Sequence, residues 1–205
     1  MIISIDGPAA SGKGTIAKGV AAIKNLKHLD SGLFYRAYAD IQDRNGTKDP
    51  EAFLAEFHKM DSTKLRDESH GQKAALIASD PTVRALINQV MRLEAARLDR
   101  KHVGVVIDGR DIGTVVFPDA NAKLFVTASV EARAQRRFLE MRERGVPVTL
   151  AEIEDDLRRR DERDRNREVA PLVPAADAMV IDTSALGRDE AIAAAIEAVE
   201  QALTQ

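Results

Sequence analysis

Ile2-Ile3-Ser4-Ile5-Asp6 is followed at once by Gly7-Pro8-Ala9-Ala10-Ser11-Gly12-Lys13-Gly14-Thr15, and these two stretches decide the fold. The first stretch is apolar and rich in β-branched side chains, which predicts a strand that ends at Gly7-Pro8. Residues 13–26 then carry apolar side chains at helical spacing. A strand, a glycine-rich loop and a helix in this order predict the first unit of an α/β fold.

Residues 7–15, which we call the phosphate loop, match the pattern G-x-x-x-x-G-K in the context that gives this pattern its mechanism. Backbone amides and the helix N-terminus can surround phosphate oxygens, and Lys13 can reach the β- and γ-phosphates of a nucleotide. The alternative is a glycine-rich loop that only caps a helix. Gly14 stands where a serine or threonine usually follows the lysine, so we expect Thr15 to contact Mg²⁺ through water.

Further apolar runs at 103–108, 122–127 and 178–182 each end in a polar residue, and residues 28–32 resemble another strand end. Unbroken apolar character is typical of parallel strands that are covered on both faces. Helical patterns lie between them, at 31–44, 50–59, 72–101, 130–144, 149–167 and 188–203. This alternation predicts a doubly wound parallel sheet with ligands at the carboxyl ends of its strands. Residues 44–80 are polar and rich in turns, so we expect an insertion or cover segment there.

Composition excludes several classes of protein. The chain has 205 residues, no cysteine and four scattered histidines, which leaves no disulfides, no thiolate metal site and no paired metal-ligand spacing. No apolar run approaches the roughly 18 residues of a membrane span, so we expect a cytoplasmic protein with no membrane partner. The formal charge of −3 provides no overall positive field for nucleic acid, so an anion site must be a local arginine cluster.

Two strand ends supply arginines and carboxylates, which a phosphoryl-transfer enzyme needs. Asp108-Gly109-Arg110-Asp111-Ile112-Gly113 places Arg110 beside the phosphate loop if its strand neighbours the first one. His28-Leu29-Asp30-Ser31-Gly32 is followed one helical turn later by Arg36, which then faces the same edge. Either motif alone is often a solvated turn, but its position at a strand end favours a site.

Residues 158–167 contain six arginines and three acids. On a helix Arg160, Arg163, Asp164 and Arg167 share one face. One interpretation is a solvent-facing helix covered with salt bridges. The other is a mobile lid that brings arginines onto phosphates and excludes water, with a joint at 145–147 and a stop at 170–174. The sequence context favours the lid.

These motifs occur in the order found in the bacterial cytidylate kinases, P-loop nucleoside monophosphate kinases that the chain resembles from residue 2 to about 185. The resemblance rests on the phosphate loop and on three motifs, which are residues 29–36, residues 108–120 and residues 160–177. It implies one domain with the three-layer P-loop NTPase fold. Its core would be 1–36, 84–140 and 170–205, with a shortened nucleoside-monophosphate-binding insert at about 37–83 and a helical lid at about 141–169.

The resemblance also implies that ATP, with Mg²⁺, phosphorylates CMP and dCMP. The implied ATP-binding residues are Gly7, Pro8, Ala9, Ala10, Ser11, Gly12, Lys13, Gly14 and Thr15. The implied CMP-binding residues are Ser31, Arg36, Arg84, Arg110, Asp111, Arg160, Asp164 and Arg167. Within this set, the CMP phosphate would be held by Arg36 and Arg110, with Ser31 close by. The cytosine would be recognised by Asp111, Arg84 and Arg167. Arg160 and Asp164 would meet the ribose and bridging phosphates. The implied catalytic residues are Lys13, Arg110 and Arg160, and the implied metal contacts are Thr15 and Asp30.

The chain departs from the family pattern in two places. The stretch between Arg36 and Arg84 is shorter than in the long bacterial form, and Ala75 stands where a serine is expected. Two other functions therefore stay open. One is a kinase of the same fold acting on UMP, AMP or a small alcohol. The other is a nucleotide-sensing RNA-binding module, favoured by the arginines but not by the 4% aromatic content. We expect a monomer that does not bind nucleic acid.

Overall fold

The computed structural model describes residues 1–42, 48–66, 68–99 and 104–204. Five parallel strands form one sheet in the order β2-β3-β1-β4-β5. The strands are β1 Ile2–Asp6, β2 Lys27–Asp30, β3 Val105–Gly109, β4 Ala122–Thr127 and β5 Met179–Asp182. The parallel sheet predicted from the sequence is confirmed.

Eight α-helices lie in the described part of the chain. They are α1 Lys13–Ile23, α2 Ser31–Gln42, α3 Pro50–Phe57, α4 Glu68–Ile77, α5 Pro81–Asp99, α6 Val130–Glu143, α7 Leu150–Arg165 and α8 Arg188–Leu203. Apolar residues of α2 to α5 pack on one face of the sheet, and those of α1 and α8 pack on the other. The fold is therefore a doubly wound, three-layer α/β sandwich, as predicted. No helix of the described ranges is long and apolar enough to span a membrane.

Strand β3 shows how the sheet is covered on both faces. Val105 and Ile107 belong to the cluster with α2 to α5, whereas Val106 belongs to the cluster with α1 and α8. All three side chains are fully buried. Because successive residues of a strand point to opposite faces, only an unbroken apolar run can fill both cores.

The helix predicted at 72–101 is in fact two helices, so that prediction is wrong. Proline disfavours helical backbone at the residue before it, and Pro81 opens α5 instead of continuing α4. The Asp80 carboxylate caps the new helix, accepting from the amide of Thr82 at 2.7 Å. The predicted residues 100–101 lie outside the described residues.

Residues 48–80 contribute to the core, which their polar composition does not indicate. Helix α3 confirms the helix predicted at 50–59, and Asp49 caps it through the amide of Ala52. Phe53 and Leu54 are fully buried, and Leu65 in the 3₁₀ turn Lys64–Arg66 is nearly so. Asp49-Pro50 thus begins a short helix with core side chains, whereas Ser69-His70-Gly71 lies inside α4, and residues 44–47 of the expected cover segment lie outside the described residues.

Other element ends differ from the prediction by a few residues, as fraying ends commonly do. Helix α1 ends at Ile23 instead of residue 26, and α7 ends at Arg165 instead of residue 167. The last predicted residues of α2, 43–44, and the first predicted residue of β3, Val103, lie outside the described residues.

Helices α6 and α7 form a pair beside the phosphate loop. Gly145, with a φ of 70°, turns the chain between them, and Thr149 and Glu152 form a capping box that starts α7. Their shared cluster is small, with Ala9 of the phosphate loop and Ala134, Ile153 and Leu157 at its centre. One face of α7 is therefore anchored to the loop that precedes α1.

Candidate active site

A cleft of about 960 Å³ opens at the carboxyl ends of β1, β2 and β3, between α2 on one side and α6 and α7 on the other. The predicted site residues that line it are Ala9, Ala10, Gly12, Lys13, Gly14, Thr15, Asp30, Ser31, Arg36, Arg84, Arg110, Asp111, Arg160, Asp164 and Arg167. Lysine and arginine outnumber aspartate and glutamate in its lining, although the whole chain carries a charge of −3. The cleft is therefore a local site for anions.

Three residues of the phosphate loop, Gly7, Pro8 and Ser11, do not line the cleft. A Cβ atom on Gly7 would stand 2.0 Å from the carbonyl oxygen of Val126, so the loop lies directly against β4. Ser11 is fully buried. The sequence pattern cannot separate residues that shape such a loop from those that face its ligand.

The N-terminus of α1 is open to the cleft. Gly12 adopts a left-handed conformation there, with a φ of 87°. Within the described residues, no side chain caps this helix and no acidic residue lies in its first turn. Unpaired amides and the positive end of the helix dipole make such a terminus suited to a phosphate group.

Lys13 lines the cleft, and its ammonium donates to the carbonyl oxygen of Pro8 at 3.2 Å. The pKa of Lys13 is lowered to about 7, chiefly by burial and next by the positive charge of Arg110, while the charges of Asp108 and Asp30 act in the opposite direction. An ammonium that lies beside other cations in a cleft is well placed to bind a polyanion.

Arg110 follows β3 and lies beside the phosphate loop because β1 and β3 are neighbours, with Asp6 paired to Gly109. Its Nε donates to Asp164 of α7 at 3.0 Å. Burial raises the pKa of Asp164, but the charges of Arg110 and Arg167 outweigh it and the net pKa is lowered. The predicted proximity of Arg110 and the loop is confirmed.

Arg84 and Asp111 form an ion pair whose side chains are 4% and 8% exposed. Arg84 also donates to the carbonyl oxygen of Ala78 at 2.9 Å, and its guanidinium carbon lies 6.0 Å from the ring centre of Tyr35. Burial raises the pKa of Tyr35 to about 12. Side chains from α2, α5 and the turn after β3 therefore create a buried polar pocket with both a donor and an acceptor.

Asp30, Ser31 and Arg36 lie at the junction of β2 and α2. Strand β2 pairs with β3 so that Asp30 is level with Asp108. His28 Nε2 lies 2.6 Å from Asp108 Oδ1, within the distance of a hydrogen bond or an ion pair. The two carboxylates thus stand on adjacent strands at the same edge of the cleft.

The arginine-rich face of α7 turns toward the cleft, as the sequence predicted. Arg160, Arg163 and Asp164 line it from the helix, and Arg167 lines it just after the helix ends. Burial lowers the pKa of Arg167, whose Nε donates to the carbonyl oxygen of Asp164 at 3.3 Å. Because these charged side chains line the cleft, α7 is not a helix that is solvated uniformly on all sides.

Arg133 and Asp161 are structural partners of the site that sequence reasoning missed. They form a bidentate ion pair between α6 and α7, at 3.0 and 2.6 Å, with residue exposures of 2% and 4%. Arg133 also donates to the carbonyl oxygen of Ala9 in the phosphate loop at 3.1 Å. Both residues lie in charged helical stretches where nothing in the sequence distinguishes a buried arginine from an exposed one.

The donor set at this edge suits Mg²⁺ bound mainly by nucleotide and water. Among the described residues, no group of three or more His, Cys, Asp or Glu side chains is arranged to hold a metal ion. Thr15, Asp30 and Asp108 nevertheless line the cleft near Lys13, with oxygen ligands only. Mg²⁺ keeps several waters and commonly binds through one or two carboxylates plus substrate phosphates, which fits these residues.

A phosphate loop on a parallel sheet, faced by arginines from α2, α5, α7 and the turn after β3, defines the class of P-loop phosphotransferases. Comparison with known sequences narrows the class. The cytidylate kinase family model matches residues 3–61 and 48–201, and the chain belongs to this family.

Curated relatives agree with this assignment over nearly the whole chain. A cytidylate kinase of Azorhizobium caulinodans is 47% identical over 98% of the chain and 99% of its own length. A cytidylate kinase of Methylocella silvestris is also 47% identical, over 98% and 95%, and one of Paramagnetospirillum magneticum is 48% identical, over 95% of each. The resemblance noted in the sequence is confirmed.

Solved structures agree on the fold at much lower identity. TT1252 from Thermus thermophilus matches with a TM-score of 0.55 and 20% identity, over 100% of this chain and 98% of that one. An uncharacterized protein from Eubacterium ventriosum matches with a TM-score of 0.54 and 15% identity, over 98% of each chain. At such identity these structures support the α/β fold alone.

Proposed function

We propose that this chain transfers the γ-phosphoryl group of ATP to CMP and dCMP, giving ADP and CDP or dCDP. The observation that carries the proposal is one cleft with two halves. The phosphate loop and Lys13 lie in one half, and the buried Arg84–Asp111 pair lies in the other. Arg110 lies between them, next to Lys13 and bonded to Asp164.

In this proposal the ATP phosphates bind the loop amides, the N-terminus of α1 and Lys13. Arg36 and Arg110 hold the phosphate of CMP, with Ser31 beside them, and Arg160 and Asp164 meet the ribose and the bridging phosphates. The attacking phosphate oxygen is already ionised, so no general base is required. The protein aligns two polyanions and neutralises the charge that would otherwise keep them apart.

Cytosine is the base that suits the Arg84–Asp111 pocket. Its amino group can donate to the Asp111 carboxylate, and its carbonyl and ring nitrogen can accept from Arg84 and Arg167. Two atoms support a ligand here, because Tyr35 Oη and Arg167 Nη2 are buried without a hydrogen-bond partner among the described residues. Uracil has a carbonyl where cytosine has its amino group and would face Asp111 with the wrong polarity.

Mg²⁺ is proposed as the cofactor, held by Thr15 and Asp30 together with the ATP phosphates, and by Asp108 in addition to the residues expected from the sequence. When bound, it neutralises charge on the transferred phosphoryl group. Residues 37–83 and 141–169 are proposed as the insert that receives CMP and the lid. The proposed protein is a monomer, because both halves of the cleft are formed within one chain. We place it in the cytoplasm, with which a chain without cysteine is consistent.

Parallel assays of ADP release with CMP, dCMP, UMP and AMP test this function. We expect kcat/KM for CMP and dCMP to exceed that for UMP and AMP by at least about tenfold, and EDTA to abolish turnover. UMP or AMP as the better acceptor would overturn the substrate. Retention of RNA without ADP release would instead favour the binding module.

Asp111→Asn is expected to lower the ratio of kcat/KM for CMP over UMP by at least about tenfold. The substitution keeps the size of the side chain but adds an amide that can donate to uracil. Asp119→Asn is the matched control, because Asp119 is exposed in the same sequence motif. An unchanged ratio in Asp111→Asn would remove this residue from base recognition.

A further inference from the structure

The turn that carries Arg110 and Asp111 into the cleft has an unusual backbone. Residues Ile112–Val116 form a single π-helical turn directly after Asp111. Its amides at Val115 and Val116 both bond to the carbonyl oxygen of Asp111, at 2.9 and 3.2 Å. Single π turns are rare and occur frequently at functional sites. The position of Asp111 therefore depends on what holds this turn.

Asp6, the last residue of β1, holds the beginning of the turn. One carboxylate oxygen accepts from the amide of Ile112 at 2.8 Å, and the other accepts from the amide of Gly113 at 2.7 Å. Asp6 is only 5% exposed. Burial raises its pKa to about 6, while these two hydrogen bonds and the charge of Lys13 act against the rise. The carboxylate is thus satisfied by the turn itself, at the positive end of its dipoles.

Arg92, on α5, holds the end of the same turn. Its Nε donates to the carbonyl oxygen of Val116 at 3.0 Å, and one terminal nitrogen donates to that of Val115 at 3.1 Å. A carboxylate at the first amides and a guanidinium at the last carbonyls bind opposite ends of one turn. This arrangement fixes the turn relative to both β1 and α5.

We infer that Asp6 and Arg92 are positioning residues for the acceptor nucleotide, because they fix the turn that places Asp111. Neither residue lines the cleft, so neither is assigned a contact with substrate. The inference rests on the proposed function and adds a specific consequence to it. Asp6 directly precedes the phosphate loop, yet its carboxylate serves the acceptor half of the cleft.

Asp6→Asn provides the main test. The amide keeps the shape of the side chain but replaces one acceptor by a donor, which must face the amide of Ile112 or of Gly113. By calorimetry we expect CMP to bind at least about tenfold more weakly and ADP to bind within about twofold of the unchanged protein, since both hydrogen bonds of the carboxylate go to the turn on the acceptor side. Equal weakening of both nucleotides, or of neither, would overturn the inference.

Ser4→Ala is the matched control. Ser4 is buried on the same strand, a Cβ atom on Gly113 would stand 2.7 Å from its hydroxyl, and that hydroxyl has no hydrogen-bond partner among the described residues. We expect Ser4→Ala to bind both nucleotides as the unchanged protein does. Weakening of CMP binding by Ser4→Ala to the same degree would assign the effect to packing and overturn the inference.

Arg92→Gln decides the question if Asp6→Asn does not fold. Arg92 lies at the surface, so its replacement should leave the fold intact. We expect the same selective loss of CMP binding, about threefold or more, with ADP unaffected. No selective loss would overturn the inference. Absence of CMP binding by the unchanged protein would instead refute the proposed function, so the two failures are distinguishable.

Discussion

Lys13→Ala is expected to lower kcat at least about a thousandfold, the effect typical of removing a charged group that stabilises the transferred phosphoryl group. Lys13 is the half-buried cation of the phosphate loop, and its ammonium has Arg110 and Arg160 as neighbouring positive charges. Steady-state rates of ADP release with CMP measure the effect. A near-normal kcat in Lys13→Ala would mean that the arginines are sufficient for catalysis and would refute the role of Lys13.

The same substitution is not expected to lower the melting temperature. The pKa of Lys13 is lowered from 10.5 to about 7 by burial, so the folded state disfavours the charged form that the unfolded chain carries. This penalty is fully present below pH 7 and declines as the pH rises toward 10.5. Lys24→Ala, directly after the same helix and paired with Glu200 at the surface, is the activity control and should retain full kcat. A large loss of stability in Lys13→Ala would mean that lost activity reports unfolding.

Arg133→Met is expected to destabilise the fold by about 3–5 kcal/mol, the cost of breaking a buried ion pair by removing one partner. The substitution leaves Asp161 buried and charged, and it also removes the hydrogen bonds to the carbonyl oxygens of Ala128 and Ala9. Urea denaturation followed by circular dichroism measures the loss. Because Arg133 joins α6, α7 and the phosphate loop, the loss should extend to nucleotide binding.

Arg158→Met is the control for this experiment, since Arg158 and Glu131 form a second ion pair between α6 and α7 at 3.1 Å. Both side chains of that pair are more than half exposed, so its removal should leave the midpoint of unfolding unchanged. Equal sensitivity of the two arginines would contradict the argument from burial. Arg133→Met combined with Asp161→Leu should recover part of the loss, because the uncompensated charge is gone while the carbonyl oxygens stay unpaired.

The sheet and the phosphate loop could be predicted because each depends on a local pattern. An unbroken apolar run such as 103–108 indicates a strand covered on both faces, and the loop combines glycines and lysine at fixed spacing. The neighbouring positions of Lys13 and Arg110 also followed, because parallel strands bring their carboxyl ends to one edge. The division of the predicted helix 72–101 was missed because apolar spacing outweighed the signal of Pro81, although proline marks a probable helix boundary.

The supporting contacts could not be predicted because they join residues far apart in sequence. Asp6 and Ile112 meet only after β1 and β3 have paired, and Arg133 and Asp161 meet only after α6 and α7 have packed. The sequence around Arg133 contains two more arginines, at 136 and 137, with nothing to show which one is buried. Hydrogen bonds and burial are properties of the fold, and composition does not report them.

Part of the acceptor side of this protein, with Ser31, Arg36 and Arg84, is one continuous piece of chain. The polypeptide leaves the sheet after Asp30 and returns to it at Val105, and the helices α2 to α5 in between share a single apolar cluster on one face. Two crossover points would therefore suffice to exchange most of this block between related genes, while the loop that grips the donor stays intact. Asp111 and Arg167 lie outside this block, so such an exchange would alter one wall of the acceptor site and keep the other.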